Sequence, residues 1–127
     1  MRANKIKQMW AEGKTVSMGW LSIAHPFTAE LMARQAFDSL CIDLQHGTIE
    51  IGHVLPLLQA ICQTEVSPVV RVRTNDAGEI MKVLDLGAMT VIVPLINTAE
   101  DAARAVAACR YPPVGNRSSG PIRALHY

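Results

Sequence analysis

Phe37-Asp-Ser-Leu-Cys-Ile-Asp-Leu-Gln-His46, followed by Gly47, is the stretch from which the rest of the chain is read. Leu40, Cys41, Ile42 and Leu44 make an apolar strand that ends on a cluster of Asp43, Gln45 and His46, and Gly47 releases the chain into a turn. In α/β proteins the C-terminal ends of strands are where ligands bind and where polar groups stop serving the core. A histidine in that place can move protons near neutral pH. The same residues also describe a capped strand end with a satisfied polar turn, so the run alone leaves both readings open.

Outward from this strand, apolar runs alternate with helical patterns. Lys5 to Glu12 reads as a short leading helix and Thr15 to Ile23 as the first strand. Pro26 opens a helix over Phe27 to Gln35, since proline is tolerated in a first turn. After the second strand, Ser39 to Leu44, the residues Ile51, Val54, Leu55, Leu58, Ile61 and Cys62 recur at helical spacing, with Pro56 in the first turns or at a kink. Pro68 to Val72 is a third strand, nearly all apolar, as in a buried parallel sheet. Asn75 or Asp76 caps a helix carrying Ile80, Met81 and Leu84, and Gly87 stops it. Thr90 to Val93 is the fourth strand, and Thr98 and Asp101 have capping-box spacing for an Ala-rich helix running to Arg110. A turn-rich loop follows, from Tyr111 to Pro121.

These are four βα units in sequence order, and right-handed crossovers make their sheet parallel. Two architectures fit: a small open doubly wound sheet, or half of a (β/α)₈ barrel, whose usual length is roughly 250 residues. A half barrel exposes two apolar strand edges and needs another half, or another chain, to close.

At 127 residues the chain is one domain's worth, and 50% of it is hydrophobic, enough for a sizeable core. Charged residues make up 18%, the net charge is +1, and Lys and Arg are scattered, which argues against nucleic-acid binding. The N-terminus lacks the apolar stretch of a signal peptide, and the most apolar run, Met89 to Ile96, is far too short to cross a bilayer. Cys41, Cys62 and Cys109 are widely spaced in apolar settings, with no metal-type pair, and an odd count argues against a disulfide framework. They read as buried thiols in a reducing compartment, so a cytoplasmic location is expected.

His46 and Arg71 are the strongest candidate pair for chemistry. Both fall at the C-terminal ends of expected strands, the second and third, and neighbouring parallel strands lie roughly 5 Å apart. A histidine beside a fixed guanidinium suits proton abstraction next to a carbonyl: the histidine takes the proton and the arginine stabilises the enolate oxygen. The competing reading for Arg71 is an ion pair with Asp43. Arg73 is a rival two residues on, and His25 could line the same face. His53 reads as a solvated helix residue and Trp20 as core packing. His126 lies too near the end to interpret. Gly115-Asn-Arg-Ser-Ser-Gly120 reads as a flexible surface loop rather than an anion site. No G-x-G-x-x-G follows a strand and there is no P-loop, so dinucleotide binding lacks support.

Together with Arg110-Tyr-Pro-Pro-x-Gly-x-Arg117, these residues resemble the HpcH/HpaI aldolases, the metal-dependent class II pyruvate aldolases that include 4-hydroxy-2-oxoheptanedioate and 2-keto-3-deoxy sugar-acid aldolases. The matching stretches are Phe37-Asp38 through Ile42-Asp43-x-x-His46-Gly47, Pro68-Val-Val-Arg71-Val, Val83-Leu-Asp85-x-Gly87-Ala88, Val93-Pro94, and Thr98-Ala-Glu through Arg110-Tyr-Pro-Pro. The resemblance implies that residues 1–127 are the N-terminal half of a TIM-barrel aldolase domain that cleaves 4-hydroxy-2-oxo acids to pyruvate and an aldehyde. It implies that His46 is the base, that Arg71 stabilises the enolate-like transition state and binds substrate, and that Asp85 raises the basicity of the histidine. Gln45 stands at a substrate-side position where many members carry Glu. A divalent metal (Mg²⁺, Mn²⁺ or Co²⁺) is implied as cofactor, with no metal ligand in this chain: the family's two metal-binding carboxylates, a Glu and an Asp, are expected on later strands, beyond Tyr127. Asp85 sits near the end of a helix that descends away from His46, at 1.5 Å per residue. If it supports the base, it does so across a subunit interface, so a homo-oligomer with shared active sites is expected. Two alternatives stand beside this reading: a non-catalytic half-barrel assembly module, and a citryl- or malyl-type lyase relative, ranked lower because no dedicated coenzyme A site is visible.

Overall fold

The structure, a computed structural model, describes residues 3–126. Helix α1 (Lys5–Ala11) leads into β1 (Met18–Leu21), α2 (Pro26–Ala33), β2 (Ser39–Asp43), α3 (Ile51–Ile61), β3 (Ser67–Arg71), α4 (Ala77–Asp85), β4 (Thr90–Ile92) and α5 (Ala99–Cys109). A short 3₁₀ turn, Ala124–His126, follows. The four strands form one parallel sheet in the order β1-β2-β3-β4.

This order separates the two architectures. A doubly wound sheet reverses its strand order at a switch point and carries helices on both faces. Here the order never reverses, and α2 to α5 all pack on one face. There Leu40, Ile42, Val70 and Val72 of the sheet region meet Ala29, Ala33, Leu57, Leu58, Ile61, Ile80, Val83 and Ala108 in the main core. The chain is the arc of half a (β/α)₈ barrel.

The other face, which would look into a barrel, is set by the pleat: Met18, Trp20, Cys41, Asp43, Val69, Arg71 and Ile92 alternate with the helix-facing set. Its lower part is covered by α1. Ile6, 1% exposed, packs against Cys41 and Val69, with Val16, Met18 and Ile92 around them. Asn4 caps α1 through its side chain and also donates from Nδ2 to the Met89 carbonyl (2.8 Å), fixing the helix beneath β4. β2 and β3 are therefore dry on both faces, which is why their sequences are apolar runs rather than alternations.

The elements match the expected ones with shorter ends. β1 covers Met18–Leu21 rather than Thr15–Ile23 because its partner begins at Ser39, opposite Met18. Ser17, just before it, is instead held by the Asp38 carboxylate through both its N–H (2.9 Å) and its hydroxyl (2.8 Å). Asp76, not Asn75, caps α4, accepting from the Glu79 N–H at 2.8 Å, while Asn75 donates to the Asp101 carbonyl. Pro56 lies within α3. The Gly115–Gly120 segment, expected to be a flexible loop, is tied down. Asn116 and Arg117 donate backbone N–H bonds to the carbonyls of Ala107 and Arg110, both at 2.9 Å. A Cβ at Gly115 would collide with those same two carbonyls, so the close return over the end of α5 requires glycine.

Candidate active site

Asp43, the last residue of β2, is 2% exposed and carries the site. Arg71, its register partner on β3, grips it with two bonds, Nε to Oδ1 at 2.9 Å and Nη2 to Oδ2 at 2.6 Å. The Trp20 indole N–H donates to Oδ2 at 2.9 Å. The backbone N–H groups of Gln45 and His46 donate to Oδ1 at 3.0 and 3.3 Å. The last two make a local aspartate turn, in which a short carboxylate satisfies the backbone two and three residues on. That turn holds the Gln45-His46 corner to the sheet.

Burial alone pushes the Asp43 carboxyl toward higher pKa. The hydrogen bonds from Arg71, Trp20 and the His46 and Gln45 backbone outweigh it and hold the group well below the usual carboxylate range. Arg71 is held charged in turn, chiefly by its bonds to Asp43. Cys41, beneath them on β2, is inert as a nucleophile: burial, then the nearby Asp43 charge, pushes its thiol up to about 12.

The linkage gives a pH prediction. A carboxyl with a depressed folded-state pKa stabilises the fold fully above its unfolded value, near 4, and loses that contribution as pH falls toward the folded value. Asp43→Asn is therefore expected to cost about 2 kcal/mol or more at pH 7. The gap between variant and parent should narrow steadily below pH 4. Urea midpoints at pH 7, 4 and 3 check it; a gap that stays constant with pH would mean that the charge of Asp43 contributes nothing.

Gly47 completes the corner. Its φ of 90° is the left-handed region, and a Cβ there would lie 2.9 Å from the Ser22 carbonyl oxygen. That oxygen accepts from both the N–H (3.2 Å) and the hydroxyl (3.1 Å) of Thr48. The loops after β1 and β2 are thus clasped together beside His46.

The structure places His46 and Arg71 at the same end of neighbouring strands, joined through Asp43. The ion pair with Asp43 is present, and it uses Nε and one hydrogen of Nη2. It leaves Arg71 with a side chain 20% exposed and with Nη1 making no hydrogen bond to the described residues. His46 is exposed, and Gln45, half-buried, follows Asp43 on the same turn. Arg73 is committed elsewhere, with its Nε 2.7 Å from Glu79 Oε1 and its backbone N–H on Oε2. The His25 ring accepts the Phe27 N–H and caps α2, so it works for the helix rather than the cleft. His53, expected as a solvated surface residue, is half-buried, and its Nδ1 accepts the Glu50 N–H at 2.9 Å.

Asp85, the last residue of α4, lies at the opposite end of the sheet, just before the turn into β4, and pairs with Arg117 at 2.6 Å. The Arg117 guanidinium also stacks on Tyr111, 4.8 Å from the ring centroid. Sequence reasoning missed Trp20. Far from being core packing, it is 42% exposed on the inner face, its N–H on Asp43 and its ring under the Arg71 guanidinium at 4.8 Å.

The profile of the HpcH/HpaI aldolase/citrate lyase family matches residues 16–125. The chain belongs to this family. A hydroxypyruvate/pyruvate aldolase of Rhizorhabdus wittichii is 42% identical over 125 residues, covering 98% of this chain and 50% of that protein. A 4-hydroxy-2-oxo-heptane-1,7-dioate aldolase of Salmonella dublin is 41% identical, covering 95% and 46%. Among solved structures, an HpcH/HpaI aldolase/citrate lyase family protein from Burkholderia cenocepacia superposes with a TM-score of 0.90 at 35% identity, over 98% of this chain and 51% of that one. The citrate synthase SbnG does so with 0.85 at 32%, over 94% and 49%. This member of the HpcH/HpaI family thus spans about half the length of the relatives it matches. Among its described residues no helix is long and apolar enough to cross a membrane.

Proposed function

We propose that this HpcH/HpaI segment is the first half of a pyruvate-class aldolase barrel, which cleaves a 4-hydroxy-2-oxo acid to pyruvate and an aldehyde and runs the reverse addition. The observation that carries the reading is the Arg71 guanidinium, locked by a buried carboxylate with Nη1 unengaged among the described residues, beside a histidine whose backbone is tied to that same carboxylate.

In this reading His46 takes a proton from the methyl group of pyruvate. The C–H electron pair moves into a new C=C bond, and the carbonyl pair moves onto oxygen. Arg71 faces that oxygen as charge grows on it, and a pre-oriented donor at developing charge stabilises the transition state more than the ground state. The C=C pair then bonds to the aldehyde carbon as the ketone C=O re-forms, and the aldehyde oxygen takes up a proton equivalent to the one His46 removed, which returns the base to its starting state. Gln45 is assigned to the substrate side of the same turn.

The family's divalent cation does not fit this chain's residues alone. Among the described residues no cluster of three or more His, Cys, Asp and Glu side chains is placed to hold one, and both oxygens of Asp43 are already taken. Its ligands are assigned to the part of the relatives' length that this chain does not span.

Asp85 is proposed to act on the His46 of a neighbouring subunit rather than its own, because it sits at the far end of the sheet. Its bond to Arg117 fixes the carboxylate in place for that. Mixing inactive His46→Ala and Asp85→Ala forms of the complete enzyme under subunit exchange should restore part of the activity; no recovery despite proven exchange would reject the shared site.

The deciding experiment for the reaction follows ¹H–²H exchange at the pyruvate methyl group by NMR, with Mg²⁺ or Mn²⁺. It uses the complete enzyme that contains this segment, and cleavage of a 4-hydroxy-2-oxo acid is measured alongside. Metal-dependent exchange and cleavage are expected. A folded oligomer with neither would favour a purely structural half-barrel module.

A further inference from the structure

We infer that Trp20 is a positioning residue for Arg71, and that its indole N–H and ring together fix the direction of the guanidinium edge that meets the substrate. The inference rests on the aldolase reading and extends it to a residue that touches the reacting atoms only through another.

Two observations carry it. First, the indole N–H donates to Asp43 Oδ2 at 2.9 Å, the same oxygen that Arg71 Nη2 holds at 2.6 Å. Second, the Arg71 guanidinium carbon lies 4.8 Å from the centroid of the Trp20 ring, so the ring bounds one face of the guanidinium plane.

A two-point bond to a carboxylate leaves a guanidinium free to tilt about the line joining the two contacts. The ring beneath removes that tilt, and the N–H keeps the carboxylate from turning with it. Phenylalanine at this position would keep the ring but lose the donor, leaving Oδ2 with one partner.

Because Trp20 acts through Arg71, its effect should vanish when the fork is gone. The test is a double-mutant cycle in the complete enzyme on Trp20→Phe and Arg71→Lys, read as the kcat and KM of pyruvate methyl proton exchange. Trp20→Phe alone is expected to lower kcat about tenfold with KM changed by less than about twofold, as for a displaced transition-state donor. In the Arg71→Lys background the same change should cost less than about twofold. Equal losses in the two backgrounds, or no loss in the parent, would overturn the positioning role. If Arg71→Lys itself leaves exchange unaltered, the aldolase reading falls and this inference with it.

Should Trp20→Phe fail to fold, benzothienylalanine is placed at position 20 by nonsense-codon suppression. The analogue keeps shape and stacking and removes only the N–H, so a tenfold loss of kcat is again expected and an unchanged kcat again counts against the role.

Discussion

Replacing Arg71 by alanine is expected to slow pyruvate proton exchange by about 10²–10³-fold, the usual loss when one pre-oriented donor to a developing oxyanion is removed. The same change strips the buried Asp43 of its counter-charge, and breaking a buried pair from one side costs about 3–5 kcal/mol. The kinetic loss must therefore be read on protein shown to be folded. Arg71→Lys separates the two effects. It retains a cation for Asp43, but a single ammonium cannot span Oδ1 and Oδ2 and still present a second edge outward. Its stability should lie close to the parent's while exchange remains slow. Exchange at the parental rate in folded Arg71→Ala would remove the arginine from the mechanism.

His46→Ala should lower exchange by about 10²–10⁴-fold, the range for loss of a general base. Here stability is expected to change little, within about 0.5 kcal/mol, because the side chain is exposed and the bond to Asp43 comes from the backbone N–H, which alanine keeps. Added imidazole should restore part of the exchange rate. A His46→Ala protein that exchanges pyruvate as fast as the parent would show that the base is another group.

Both variants are expected to slow exchange, but only the loss of Arg71 is expected to cost stability. That contrast comes from one fact of geometry: Arg71 is attached to the site through its side chain, His46 through its main chain.

β2 and β3 were legible because strands buried on both faces leave short, largely apolar runs, here Leu40–Leu44 and Pro68–Val72. β1 and β4 were legible as elements but not in length, since an edge strand ends where its neighbour ends, and this depends on register. The pairing of Asp43 with Arg71 had a signal in the sequence: each lies four residues after the serine that opens its strand, Ser39 and Ser67, and those serines are register partners. In the sequence alone it competes with a ligand role for Arg71. In the structure the ion pair leaves a guanidinium edge unengaged, so the two are compatible.

Trp20 was not legible. An indole in an apolar run signals burial, and the partner of its N–H lies on the next strand, 23 residues away, within reach only once the sheet has formed. The tied Gly115–Gly120 loop was hidden for the same reason: the carbonyls that hold it belong to the end of α5, and their availability follows from how that helix stops.

The helix laid across the lower inner face has a consequence for the layer above it. Ile6 and its neighbours pack an apolar plug beneath the Asp43–Arg71 layer. Cys41, between the plug and the charged layer, is 0% exposed even in this open arc, whereas Cys62 and Cys109 are half-buried. The floor of the inner face is thus dry and apolar, and the charged Asp43–Arg71 layer stands directly on it.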